Sequence, residues 1–94
     1  MVVSFRDRES ERIWTGEGSR RVPPRIHASA LRRLRQLNQA ATLAELLVFR
    51  GNRLEALSGD RVGQYSIRIN DQWRICFRWS ERGAHDVQIV DYHP

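Results

Sequence analysis

The sequence predicts an α+β fold, with two N-terminal helices packed on one face of a small, mainly antiparallel sheet. Three observations lead there. Apolar residues recur every three or four positions in the first half of the chain. They alternate with polar ones in the second half. The alternating runs are separated by short polar turns, as antiparallel neighbours require. With 94 residues the chain has room for one domain, taken as 1–94.

Residues 2–5 are a short apolar start that fits a first or edge strand. Residues 7–16 are charged, with Ile13 and Trp14 near the end, and predict a short helix stopped by Gly16 or Gly18. A Gly/Ser/Arg/Pro loop follows to Pro24, which opens a long helix running to Ala41. Leu31, Leu34, Leu37 and Ala41 share one face of it, and Arg25, Arg32, Arg33 and Arg35 lie mostly elsewhere. Residues 43–49 read as a helical turn or connection, and Gly51-Asn52 as a turn. Leu54, Ala56 and Leu57 predict a short strand that ends at Ser58-Gly59-Asp60. In residues 64–70, Tyr65, Ile67 and Ile69 face one way and Gln64, Ser66, Arg68 and Asn70 the other. Asn70-Asp71 is read as a hairpin tip. In residues 73–79, Trp73, Ile75, Phe77 and Trp79 oppose Arg74, Cys76 and Arg78. After a loop with Gly83, residues 85–92 form the last strand.

Lys+Arg is 16 and Asp+Glu is 11, a net charge of +5, and every one of the 16 basic residues is arginine. Arginine stays charged when partly buried and forks onto phosphate or carboxylate. A hydrophobic fraction of 40% with eight aromatic residues is too apolar for a disordered chain. The apolar runs are too short to span a membrane, and the N-terminus lacks the long apolar run of a secretory signal. A cytoplasmic protein is therefore expected. Cys76 is the sole cysteine and the three histidines are scattered, so no zinc spacing is present. Cys76 reads as a small buried residue, and His27 and His85 as a capping or surface residue and a junction residue.

Two constellations carry chemistry. If the aromatic face of the strands turns to the helices, Arg68, Arg74 and Arg78 share the opposite, open face. Their mutual repulsion is relieved by an anion such as a phosphodiester, or by acidic partners on a solvated face. Charge alone leaves both readings open. At the C-terminus, Asp91, Tyr92 and His93 are consecutive groups able to move a proton or donate a hydrogen bond. Taken alone, a terminal Tyr-His is more often just a frayed end.

Residues 52–79 closely resemble the HigB-type toxins of the RelE/ParE superfamily. Ser4-Phe5-Arg6-Asp7, Arg21-Val22-Pro23-Pro24 and Val90-Asp91-Tyr92-His93 extend the likeness over nearly the whole chain. The resemblance implies a microbial-ribonuclease-like α+β fold and a type II toxin that cuts mRNA in the ribosomal A site. It implies a HigA-like helix-turn-helix antitoxin, operator DNA reached only through that complex, and no metal or cofactor. Cleavage by the 2′-hydroxyl would leave a 2′,3′-cyclic phosphate. Matched by position, Arg74 would stabilise the scissile phosphate, and His93 would move a proton with Asp91 orienting it or sharing that role. Tyr92 would orient or stack on a base. Arg61, Arg68 and Arg78 are the expected RNA contacts.

Two departures stand out from the family pattern. Glu55 occupies a position where some members carry histidine, and Ser58 one where many carry lysine. Glu55 is thus a candidate base, and a phosphate-binding charge is missing at Ser58. Two other functions fit the same fold. One is a ParE-like gyrase inhibitor, against which His93 argues. The other is a weakly active or non-catalytic homologue that works through antitoxin binding and operon regulation.

Overall fold

The first helix, α1 (Arg8–Thr15), is set by its two ends. Asp7 caps it, accepting the Ser10 N–H at 2.8 Å, and Gly16 stops it in the left-handed conformation at φ 82°. In this computed structural model, which describes residues 1–92, the expected helix is thus found, with Gly16 as its stop.

The second helix departs from expectation at both ends. Pro24 opens a 3₁₀ turn, Pro24–Ile26, and the α-helix proper, α2 (His27–Gln39), follows it. It ends before Ala41, which is exposed and outside the helix. The reason is a competing cap. The Glu45 carboxylate takes the N–H groups of Ala41 and Thr42, and Thr42 starts the next 3₁₀ turn, Leu43–Leu47. The buried face is Ala30, Leu34 and Leu37, with Leu31 half-buried beside it.

Four antiparallel strands complete the fold in the order β1 (Glu55–Ala56), β2 (Tyr65–Arg68), β3 (Trp73–Ser80) and β4 (Gly83–Asp91). The β2–β3 turn is where Asn70-Asp71 placed it. The Asn70 side chain accepts the N–H groups of Gln72 and Trp73 at 2.9 and 2.8 Å. The N-terminal segment pairs in parallel with β4 through Val2–Ala84 and Phe5–Val87, which covers that edge. β4 carries one extra residue opposite β3 between Cys76 and Arg78, where Asp86 takes φ 52°.

Both helices lie on the same face of the sheet. Ile67, Ile75, Phe77, Val87 and Ile89 from the strands close onto Ile13, Ala30, Leu34 and Leu37. The opposite face was expected to be open and to gather Arg68, Arg74 and Arg78. It is largely closed instead. Ser66 and Cys76 are fully buried, Gln64 nearly so, and Arg74 is 7% exposed. The chain from Arg50 to Arg61 folds back beside β2 through the 3₁₀ turns Arg50–Asn52 and Gly59–Arg61 and the two-residue β1, which brings backbone and side-chain acceptors to that face. Arg78, beyond the bulge, stays exposed at the other end of β3.

Candidate active site

Arg74 lies in the middle of the polar face, paired across the strands with Arg68 on one side and Val90 on the other. Its guanidinium is fixed by neutral acceptors. Nε donates to Ser66 Oγ at 2.7 Å, and Nη2 donates to the Arg53 carbonyl at 2.6 Å and the Ser66 carbonyl at 3.3 Å. Among the described residues, Nη1 has no hydrogen-bond partner. The Glu55 carboxylate is 4.0 Å from Nη2, and the Tyr92 ring lies 5.7 Å from the guanidinium carbon. A cation held this rigidly keeps its orientation when an anion arrives, which is how charge stabilisation avoids a reorganisation cost.

Two side groups on either side of Arg74 owe their position to backbone geometry. Arg53 takes the left-handed conformation, φ 43°, and so presents its carbonyl to Arg74. Tyr92 is fixed at the strand end by its N–H, which donates to the Gln72 carbonyl at 2.8 Å. Asp91, one residue earlier, is exposed and accepts from Gln72 Nε2 at 3.1 Å.

Tyr92 is the shared wall of two hollows. One, of about 220 Å³, is lined by Arg53, Glu55, Arg68, Asn70, Asp71 and Arg74. The other, of about 530 Å³, is lined by Leu57, Ser58, Asp60, Arg61, Val90 and Asp91. The fold therefore gathers Glu55, Arg61, Arg68, Arg74, Asp91 and Tyr92 into one shallow, two-lobed groove. His93 lies outside the described residues. Arg78 is not part of the groove; it is exposed, 3.8 Å from Asp86.

Each arginine of the expected strand-face trio has an acid near it: Asp71 for Arg68, Glu55 for Arg74 and Asp86 for Arg78. Asp71 and Glu55 are well exposed, so these pairs are weak and an incoming phosphate competes with them. Arg61 is held by Gln64 at 3.1 Å and by Gln88 at 3.3 and 3.4 Å, all neutral acceptors.

The remaining candidates are structural. Burial pushes the Cys76 thiol up, against the smaller opposite pull of Arg61 and Arg74, which makes it a poor nucleophile. His27 bonds the Val22 carbonyl at 2.6 Å, and His85 bonds Ser80 Oγ at 2.6 Å. Among the described residues, no three His, Cys, Asp or Glu side chains form a cluster able to hold a metal ion.

Sequence reasoning missed Arg53 and the hairpin pair Asn70 and Asp71 as parts of the site. A turn signal at Gly51-Asn52 was legible, but nothing local says that the next carbonyl will meet an arginine on a strand 21 residues away.

The chain matches, over residues 3–93, the family described as the RelE-like toxin of the type II toxin-antitoxin system HigB. It is 34% identical to Toxin HigB-1 of Vibrio cholerae serotype O1, over 95% of each chain. It is 29% identical to Endoribonuclease HigB of Proteus vulgaris, over 99% of this chain and all of the relative.

Proposed function

Because the chain belongs to the HigB-like family of type II toxins, we propose that it is a cytoplasmic, metal-independent endoribonuclease that cuts mRNA on the ribosome and halts translation. The observation that carries this reading is the immobilised Arg74 guanidinium beside Tyr92, in the smaller of the two hollows that Tyr92 joins. A relative is named an endoribonuclease, which supports the same chemistry.

The reaction needs a group to take the 2′-hydroxyl proton, a group to protonate the leaving 5′-oxygen, and a cation for the charge gathering on phosphorus. Arg74 supplies the cation through Nη1. The proton carriers come from Glu55, Asp91 and His93. Glu55 is exposed beside Arg74, Asp91 is exposed at the end of β4, and His93 follows Tyr92 in sequence. Tyr92 offers a ring on which a base can stack. Arg61 and Arg68 hold flanking phosphates, and Arg78 an outlying one. The 2′-hydroxyl attacks the adjacent phosphorus, the P–O5′ bond breaks, and a 2′,3′-cyclic phosphate and a 5′-hydroxyl remain.

A type II toxin has an antitoxin partner. We take it to be a HigA-like helix-turn-helix protein that brings the pair to operator DNA. One observation favours a second reading. Arg74 spends most of its donors inside the protein, as a merely structural arginine would, and the chain would then act through antitoxin binding alone.

Induced expression without antitoxin decides between them. Growth arrest with new 5′-hydroxyl ends on mRNA, reproduced by the purified protein on purified ribosomes, supports the nuclease. Arrest of replication with intact mRNA would instead indicate a gyrase inhibitor, and absence of toxicity a non-catalytic partner.

A further inference from the structure

The 3₁₀ segment Arg50–Asn52 and the Arg53 that follows it serve two arginines, not one. The Arg53 carbonyl accepts from Arg74. Asn52, fully buried, accepts from Arg33 Nη1 at 2.7 Å through Oδ1 and donates to the Leu46 carbonyl at 3.1 Å through Nδ2. Gly51 lets the Arg33 side chain come close to the backbone. A Cβ at that position would lie 2.9 Å from Arg33 Nη2, so the guanidinium lies directly against its backbone. Arg33 is thus as deliberately placed as Arg74, although it comes from α2 and lines neither hollow of the groove.

What Arg33 lacks is an anion. Its hydrogen-bond partners are Asn52 and, at 3.3 Å, Gln36, both neutral, and among the described residues no carboxylate lies within 4.0 Å of it. Burial lowers its pKa, and Arg32 and Arg68 lower it further by repulsion. Arg68 is the link to the groove, because it lines the hollow of Arg74 and pairs with Arg74 across β2 and β3. Its own acid, Asp71, is 99% exposed and easily displaced. A held guanidinium surrounded by like charges gains most from a diffuse anion that several of them share.

We propose that Arg33, flanked by Arg32 and Arg68, is a second phosphate seat, so that single-stranded RNA leaving the Arg74 groove lays its backbone against α2. This rests on the reading of the groove as an RNA site, and it adds a contact remote from the cut. Asn52 is the positioning residue for the seat.

The test uses the full chain and a fluorescent 2′-O-methyl RNA, which binds but lacks the attacking hydroxyl. Affinity is measured over a salt series. Arg33→Gln is expected to weaken binding several-fold at low salt and to reduce the slope of log affinity against log salt by about 0.7, the loss of one phosphate contact to a single strand. Arg33→Lys should keep most of the slope, and Arg82→Gln, at the opposite turn of the sheet, should leave binding unchanged. If Arg33→Gln does not fold, Arg32→Gln carries the same expectation. Wild-type affinity and slope in the folded variant overturn the seat. So does loss of antitoxin binding with RNA binding intact, which would assign Arg33 to a carboxylate of the partner. Cleavage of unmodified mRNA on ribosomes is scored separately. A protein that binds but never cuts refutes the nuclease and leaves the seat standing.

Discussion

The two faces of the sheet exclude water by different means. Toward the helices, Ile67, Ile75, Phe77, Val87 and Ile89 meet Leu34 and Leu37, and closure follows from apolar burial. On the other face Ser66, Arg74, Gln64 and Gln88 are joined by directed hydrogen bonds to Arg53 and Arg61. The first face depends on filling its volume with apolar groups rather than on directed bonds. The second requires particular atoms at particular places, and an unpaired group there costs more than a paired one gains. Stability should therefore be concentrated on one face and activity on the other.

The strongest test of that division is Phe77→Ala. It empties a fully buried position and should cost about 3–5 kcal/mol in urea unfolding. Arg74→Ala should cost less, about 1–3 kcal/mol, because it leaves Ser66 Oγ and the Arg53 carbonyl without their donor. Its RNA cleavage should fall by about 10²–10³-fold. If Arg74→Ala unfolds the protein as readily as Phe77→Ala does, the two faces are not divided in this way and Arg74 is structural.

Asp7 gives a smaller, pH-dependent effect. Its burial raises the carboxyl pKa, but the Ser10 N–H and hydroxyl and the Arg21 guanidinium outweigh this and hold it below its usual value. The folded state thus binds that proton more weakly than the unfolded chain. The Asp7 contribution is complete above about pH 4 and is lost as pH falls through the folded-state value. Urea midpoints between pH 6 and pH 3 should fall less steeply in Asp7→Asn than in the wild type, and parallel curves would show that Asp7 is not the group responsible. The smallest effect belongs to Arg78→Ala. The side chain is exposed and its 3.8 Å pair with Asp86 is solvated, so unfolding should change by less than about 0.5 kcal/mol. A large loss of stability would mean that the polar face extends past the bulge. A loss of RNA affinity alone would support the outlying phosphate contact proposed for Arg78, and unchanged affinity would remove it.

Local signals placed most of the fold correctly because they are local in cause. Asp7 and Gly16 delimit α1 through groups within one helical turn, and Asn70 closes the β2–β3 turn with its own side chain. The end of α2 was misplaced because apolar spacing continues to Ala41 while the backbone is taken over by the Glu45 cap. Alternation also placed Arg68 and Arg74 on one face, as found. Alternation says which way a residue points and nothing about what lies beyond it. That is why the covering of the polar face went unread.

The sequence by itself determined the α+β order, the core residues of the strands and the family, since these depend on period, turn chemistry and a matched motif. Only the tertiary structure decided that Arg74 is gripped by Ser66 and Arg53 beside Tyr92, that Arg78 stands apart, and that Asn52 holds Arg33. Those contacts join residues far apart in the chain, and the left-handed turn at Arg53 and the close approach at Gly51 that allow them are set by packing rather than by composition.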